Sequence, residues 1–242
     1  MTRVYQSYPL QVNSTVQLDE QASHHLSRVL RMTVGDEIIL FNGEGGEYSA
    51  VIREINKRNI QVEITAFSPR EAESPINITL AQGLARGEKM DFIIQKAVEL
   101  GVTRVVPLIT ERCNVKLAGD REEKRVQHWQ SVAVSACEQS GRNVIPVVEA
   151  PVNLRDWLPH AKADKCFVLS PHVADKLPEE KLKLNANIVL LIGPEGGLSE
   201  AEIKAALAHG FLPLNLGPRI LRTETAPLAA VAMLQTRYGD LV

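Results

Sequence analysis

The chain has 242 residues, 45% of them hydrophobic, and carries 27 basic against 29 acidic side chains for a net charge of −2. That length fits one large or two small domains with a packed core, and the balanced charge argues against a protein that grips nucleic acid mainly by neutralising phosphates. No apolar run approaches the ~20 residues that span a bilayer. Residues Met1–Tyr5 lack the apolar stretch of a secretory signal. Its histidines show no metal-ligand spacing, and Cys113, Cys137 and Cys166 form no disulfide framework. A cytoplasmic protein without a metal is the expectation.

The amino-terminal part is strand-rich with one helical interruption. Asp19 to Met32 reads as a helix with Asp19 as its N-cap. Arg28 and Arg31 would then share a face, either as a solvated surface pair or as the phosphate-gripping edge of a small β-barrel. Glu37–Phe41, Tyr48–Ile52 and Ile60–Ile64 are short runs rich in β-branched or aromatic residues, the last alternating cleanly. Gly43-Glu-Gly-Gly46 between the first two predicts a hairpin turn rather than a phosphate cradle, because no helix follows it. A polar segment bracketed by prolines, Ser68–Pro75, divides the chain into residues 1–72 and 73–242. Neither half is basic.

Beyond the divide the period changes. Ile76–Leu80 predicts a strand, Lys89–Leu100 a helix stopped by Gly101, and Val102–Ile109 the next strand. A helix over Glu122–Gln139, a strand at Val144–Val148, a short helix at Leu154–Leu158 and a strand at Cys166–Leu169 follow. Strands alternating with helices indicate an α/β domain with a mostly parallel sheet covered on both faces.

Two glycine turns then stand out. Ile188–Ile192 runs into Gly193-Pro-Glu-Gly-Gly197, and Ser199 with Glu202 forms a capping box for the next helix. Leu212–Leu216 runs into Gly217-Pro-Arg-Ile-Leu-Arg222, followed by Thr223-Glu-Thr225 and an Ala-rich helix from Ala226 to Tyr238. Apolar runs bounded by turn residues read as buried parallel strands, and ligands of open α/β sheets sit outside the carboxyl ends of such strands. Neither turn is a P-loop or a G-x-G-x-x-G fingerprint, so no triphosphate or dinucleotide site is indicated. The first turn alone fits ligand binding and a plain strand–helix connection equally. The second adds Arg219 and Arg222, natural partners for phosphate or a developing oxyanion. By its own residues the last helix reads as buried within one domain.

These segments carry a resemblance. Leu191–Ser199 and Leu216–Ala226 are similar to the two cofactor motifs of SPOUT-class methyltransferases, specifically the RsmE family. So, in order, are His25–Arg31, Arg86–Met90, Gln95–Gly101, Glu111–Cys113 and Ala136–Asn143. The resemblance implies a PUA-like β-barrel over residues 1–72 that helps bind RNA. It implies a trefoil-knotted α/β methyltransferase domain over 73–242, and a homodimer with the last helix at its interface. The implied activity is methylation of N3 of one uridine in bacterial 16S ribosomal RNA, expected on the assembled small subunit, with S-adenosylmethionine as donor. Cofactor contacts would fall to Leu169, Ile192, Gly193, Glu195, Gly196, Gly197, Leu216, Gly217, Ile220, Leu221, Arg222, Thr225 and Ala226. Arg222 would stabilise developing charge, and Glu224 or Glu138 would take the proton. Arg28, Arg31, Arg86, Lys89, Arg142 and Arg219 are the candidate RNA contacts. A ribose 2′-O-methyltransferase, a non-catalytic RNA-binding module and a nucleotide-dependent metabolic enzyme are the competing readings. The first lacks its N-x-G-x-x-x-R motif here, the second leaves two cofactor turns unexplained, and the third lacks its phosphate fingerprints.

Overall fold

Alternation sets the core of the amino-terminal unit. The computed structural model describes residues 1–56, 59–115, 119–170 and 182–241. Strands β1 (Thr2–Tyr5), β2 (Thr15–Gln17), β3 (Glu37–Phe41), β4 (Glu47–Ile55) and β5 (Ile60–Ser68) form one sheet in the order β1-β3-β4-β5-β2, with β1 parallel to β3 and the other pairs antiparallel. Ile38, Leu40, Ala50, Ile52, Ile60, Val62 and Ile64 lie two apart along their strands and all fall in one buried cluster with Leu18 and Leu26. Two bulges between β4 and β5 bend and twist the pair.

The helix α1 (Glu20–His24) starts at Asp19, whose side chain accepts the Ala22 N–H as expected. It then widens into a π turn over His25–Val29, and Arg31 closes it in the left-handed region at φ 54°, with the Met32 N–H returning to the Leu26 carbonyl. The expected common helical face of Arg28 and Arg31 is therefore corrected. Arg28 rides the π turn, and Arg31 has already left the helix. Both are exposed.

Residues 137–145 pack with this first unit. Arg142, 2% exposed, donates through Nε (3.0 Å) and Nη2 (2.5 Å) to Glu73 Oε2. Arg3 donates to Asn143 Oδ1 at 2.5 Å and pairs with Glu47, which also holds Arg70 at 3.2 Å. Asn143, fully buried, donates to the Arg70 carbonyl at 2.6 Å. The expected RNA contact by Arg142 is corrected on this ground, because its guanidinium is sequestered in a buried ion pair.

The second unit is built on parallel strands. β6 (Ile76–Gly83), β7 (Val102–Ile109), β8 (Val147–Val148), β9 (Val152–Asn153), β10 (Lys165–Leu169), β11 (Ala186–Ile192) and β12 (Leu212–Leu214) are ordered β12-β10-β11-β6-β7-β8, with β9 also beside β7. Every pair is parallel. The central strands are buried on both faces, hence their continuous apolar sequences. One face packs Ala81, Val106, Val168, Val189 and Leu191 against α4 (Leu154–Trp157) and α5 (Glu200–Ala208). On the other side α2 (Lys89–Glu99) lies on β7, and α6 (Ala226–Tyr238) on β6 and α2. α3 (Asp120–Ser140) is tied to α2 where Asp91 accepts the Trp129 Nε1–H at 3.0 Å. Two expected strands are shorter than their apolar runs. Val144 sends its N–H to Glu73, and β12 stops at Leu214, leaving Leu216 in the loop.

Removing one member of a buried ion pair leaves the other uncompensated, typically at a cost of about 3–5 kcal/mol. Glu73 retains 21% side-chain exposure, which lets water reach the orphaned carboxylate, so Arg142→Ala is expected at or just below the low end of that range, about 2–3 kcal/mol. Arg53→Ala, which removes a half-exposed pair with Glu63, should cost under about 1 kcal/mol. Denaturant midpoints of the two variants check the contrast; equal losses would contradict it.

Candidate functional site

Parallel strands bring all their carboxyl ends to one edge. The segments that follow β6, β7, β10, β11 and β12 line a cavity of about 640 Å³ there, all of it within the second unit, a size suited to a small organic ligand.

The first glycine turn follows β11. A Cβ on Gly193 would stand 2.7 Å from the Leu198 backbone nitrogen and 2.8 Å from the Gly197 carbonyl carbon, so only glycine permits this fold-back. Ser199 caps α5, and Glu202 returns the bond to the Ser199 N–H at 2.8 Å, completing the expected capping box. The other Glu202 oxygen accepts the Glu111 N–H at 2.8 Å, and Arg112 Nη1 donates to the Gly196 carbonyl at 3.1 Å. The loop after β7 thus braces the turn. Glu195 accepts the Arg86 N–H at 3.0 Å and lies 3.4 Å from Lys89 Nζ. Burial pushes its carboxyl up, but the Arg86 and Lys89 contacts outweigh this and hold it below the usual carboxylate range.

The second turn follows β12. Gly217 sits at φ 95°, a conformation other residues rarely adopt, and its N–H donates to Asn215 Oδ1 at 2.6 Å. The Arg222 carbonyl accepts the N–H groups of Thr225 and Ala226, both at 2.9 Å, which starts α6. Arg219 and Arg222 are exposed at the cavity, and among the described residues neither side chain has an ionic or hydrogen-bond partner. Between them Ile220 is 90% exposed.

Beneath both turns lies Gln82, fully buried near the end of β6. Its Nε2 has the Gly83 carbonyl (3.0 Å), the Gly193 carbonyl (3.2 Å) and Thr223 Oγ1 (3.4 Å) within reach of its two hydrogens, one of them shared, while Thr223 Oγ1 donates to the same Gly193 carbonyl at 3.1 Å. Lys89 Nζ bridges the turns at the surface, 3.4 Å from Glu195 and 3.4 Å from Glu224 Oε2. That Glu224 oxygen is buried and, among the described residues, has no hydrogen-bond partner.

Of the residues expected at the cofactor, Leu169, Ile192, Gly193, Glu195, Gly196 and Gly197 line the cavity. So do Leu216, Gly217, Ile220, Leu221, Arg222 and Ala226, whereas Thr225 is the exposed N-cap position of α6 and does not. Lys89 and Arg219, expected toward RNA, line it as well, and Arg86 reaches it through its backbone. Glu138 sits in the first unit, where it accepts the Tyr5 N–H at 3.1 Å, and burial raises its carboxyl above the usual range. Residues not foreseen at the cavity are Arg112, Ser170, Pro194, Leu198, Glu200, Ile203 and Thr223. Arg112 and Thr223 lay within motifs already singled out; Glu200 and Ile203 follow from the capping box, which aims the first turn of α5 at the pocket. The donor set suits one class of ligand. Leu169, Ile192, Leu198, Leu216 and Leu221 offer apolar surface, the glycine turns offer backbone donors and acceptors, and Glu195 and Glu200 offer negative charge. Lys89, Arg112, Arg219 and Arg222 add positive charge, so a flat ring with a hydrogen-bonding edge, joined to a tail that carries charge of both signs, meets the whole set. Among the described residues no group of His, Cys, Asp or Glu is arranged to hold a metal, and no helix is long and apolar enough to cross a membrane.

Comparison with known proteins agrees with this geometry. Residues 72–235 match the family described as an RNA methyltransferase domain, and residues 18–65 the family described as an RNA methyltransferase PUA domain. The Ribosomal RNA small subunit methyltransferase E of Buchnera aphidicola subsp. Schizaphis graminum is 39% identical over 99% of this chain and 97% of its own. That of Bacillus subtilis is 33% identical over 91% and 89%. The crystal structure of the corresponding Neisseria gonorrhoeae protein bound to S-adenosyl methionine superposes with a TM-score of 0.93, at 42% identity and over all of both chains. The chain thus belongs to the ribosomal RNA small subunit methyltransferase E family, with a PUA-like unit followed by a SPOUT-type α/β methyltransferase unit.

Proposed function

We propose that this protein transfers a methyl group from S-adenosylmethionine to N3 of one uridine in 16S ribosomal RNA, acting on the assembled small subunit. The observation that carries the reading is the pairing of a cavity lined by two glycine turns and apolar side chains with Arg219 and Arg222, which have no ionic or hydrogen-bond partner among the described residues. The cavity's donor set fits the cofactor. Leu169, Ile192, Leu198, Leu216 and Leu221 would hold the adenosine, the two glycine turns would read its edge, and Glu195 with Glu200 would face its positive charge. When bound, the cofactor supplies an electrophilic methyl on a sulfonium, which needs no metal to leave.

The chain's own residues must supply the rest. Uracil N3 has no free lone pair until its proton departs, and departure places negative charge on the flanking carbonyl oxygens. Arg222, without an ionic or hydrogen-bond partner among the described residues, stabilises that charge. Glu224, two residues on, would take the proton; its side chain lies beside the cavity rather than in its lining, 3.4 Å from Lys89, whose charge offsets that of the ionised carboxylate. The deprotonated N3 would then be the nucleophile for the methyl carbon, and the thioether sulfur of S-adenosylhomocysteine would be the leaving group. Glu138 is assigned a structural part, through its bond from Tyr5. Arg219, Arg28, Arg31 and Arg86 are exposed and contribute RNA contacts; Lys89 serves the carboxylates instead. The chain threads the trefoil knot of its class and works as a cytoplasmic homodimer. The half-buried face of α6 that carries Leu228, Ala229, Ala232 and Met233 forms the interface.

Arg222→Ala tests the role directly. Single-turnover transfer should fall roughly 10²–10³-fold, the usual cost of one such donor, with the unfolding midpoint unchanged. Near wild-type turnover would remove Arg222 from the chemistry. Gly193→Ala should weaken S-adenosylmethionine binding by more than about tenfold in calorimetry, because its Cβ collides with backbone rather than with a movable side chain. Unaltered affinity would mean the cofactor lies elsewhere.

A further inference from the structure

Gln82 stands apart from the cavity lining yet touches both halves of the site. It is fully buried on β6, opposite Ile192 of β11 on one side and Pro107 of β7 on the other. Its amide orientation is dictated by its neighbours. The Gly83 carbonyl, the Gly193 carbonyl and Thr223 Oγ1 all lie within 3.4 Å of Nε2, so rotating the amide would set its oxygen against two carbonyls. The result leaves Gln82 Oε1 buried without a hydrogen-bond partner. An apolar residue at this place would escape that cost, and an unpaired buried acceptor calls for an explanation.

The explanation lies in what Nε2 holds. The Gly193 carbonyl belongs to the first glycine turn and receives the Thr223 hydroxyl of the second loop at 3.1 Å. Gln82 donates to both of these groups. Each turn has independent anchors: Ser199, Glu202 and Arg112 for the first, and the Arg222 carbonyl at the head of α6 for the second. None of those anchors joins one turn to the other. The sheet brings the two turns to one edge through β10; apart from the ion pairs of Lys89 at the surface, the Gln82–Thr223–Gly193 triangle is the direct polar link between them among the described residues.

We infer that Gln82 and Thr223 are positioning residues for methyl transfer, setting the spacing between the turn that cradles the donor and the loop that presents Arg222 to the acceptor base. The inference rests on the proposed cofactor site. Without the triangle each turn keeps its own fold and its share of the cofactor, but Arg222 shifts relative to the methyl group. A misplacement of about 1 Å costs roughly a hundredfold in rate, whereas affinity summed over many contacts changes little.

The test separates rate from affinity. Thr223→Val removes the hydroxyl and keeps the shape; Thr223→Ser restores the hydroxyl; Gln82→Met removes the amide from the other side. For each, S-adenosylmethionine affinity is measured by calorimetry and single-turnover methyl transfer on small ribosomal subunits with both substrates saturating. Expected are a loss of at least about tenfold in the transfer rate for Thr223→Val and Gln82→Met, affinities within about threefold of wild type, and near-complete recovery in Thr223→Ser. Parallel losses of rate and affinity, or no recovery with serine, would overturn the inference in favour of general packing. Unchanged rates in both Thr223→Val and Gln82→Met would overturn it outright. If the wild-type chain bound no S-adenosylmethionine, the functional reading itself would fail, and this inference with it.

Discussion

The site depends on the parallel pairing of β10, β11 and β6. Phe167 against Leu190, and Leu190 against Leu80, fix a register that ends the three strands side by side. Connections between parallel strands must cross back over the sheet, so every loop that can carry chemistry emerges at the same edge. The cavity follows from that placement together with the absence of a side chain at Gly193. Short polar contacts then set its shape: Arg112 on the Gly196 carbonyl, Glu202 on the Glu111 N–H, and Arg86 on Glu195. Each joins loops that lie far apart in sequence, and the sheet holds them within hydrogen-bonding reach.

Much of this was legible in the residues. β7 and α6 have the bounds expected from their apolar runs, and Asp19 and Ser199 cap the helices they were expected to cap. Strong periodicity and capping chemistry are local signals. The short strands β1, β2 and β9 were not legible, since two to four residues of edge strand hold no readable period. Nor was the π turn at His25–Val29. A helix that widens by one residue keeps its composition and changes only which side chains align.

Within the site, the glycine turns and their apolar neighbours were readable because the backbone conformation needs those residue types. Gln82 was not. A glutamine in a strand ordinarily faces solvent, and only the fold reveals that three acceptors converge on its amide. The arginines divide in the same way. Arg142 and Arg222 look alike in sequence, yet one is buried against Glu73 and the other stands exposed at the cavity with no partner among the described residues. A chain with net charge −2 can still serve an RNA substrate if exposed cations collect where the acceptor must dock, and Arg219 and Arg222 are exposed at the cavity. That distribution favours recognition of a shaped target over general attraction to phosphate.

What defines the reaction is the atom that receives the methyl group. The direct measurement is transfer from labelled S-adenosylmethionine to small ribosomal subunits lacking the modification and, in parallel, to naked 16S RNA, followed by digestion and nucleoside identification. The account predicts N3-methyluridine as the product, formed faster on the assembled subunit. A 2′-O-methylated nucleoside, or no transfer to either acceptor despite cofactor binding, would contradict it.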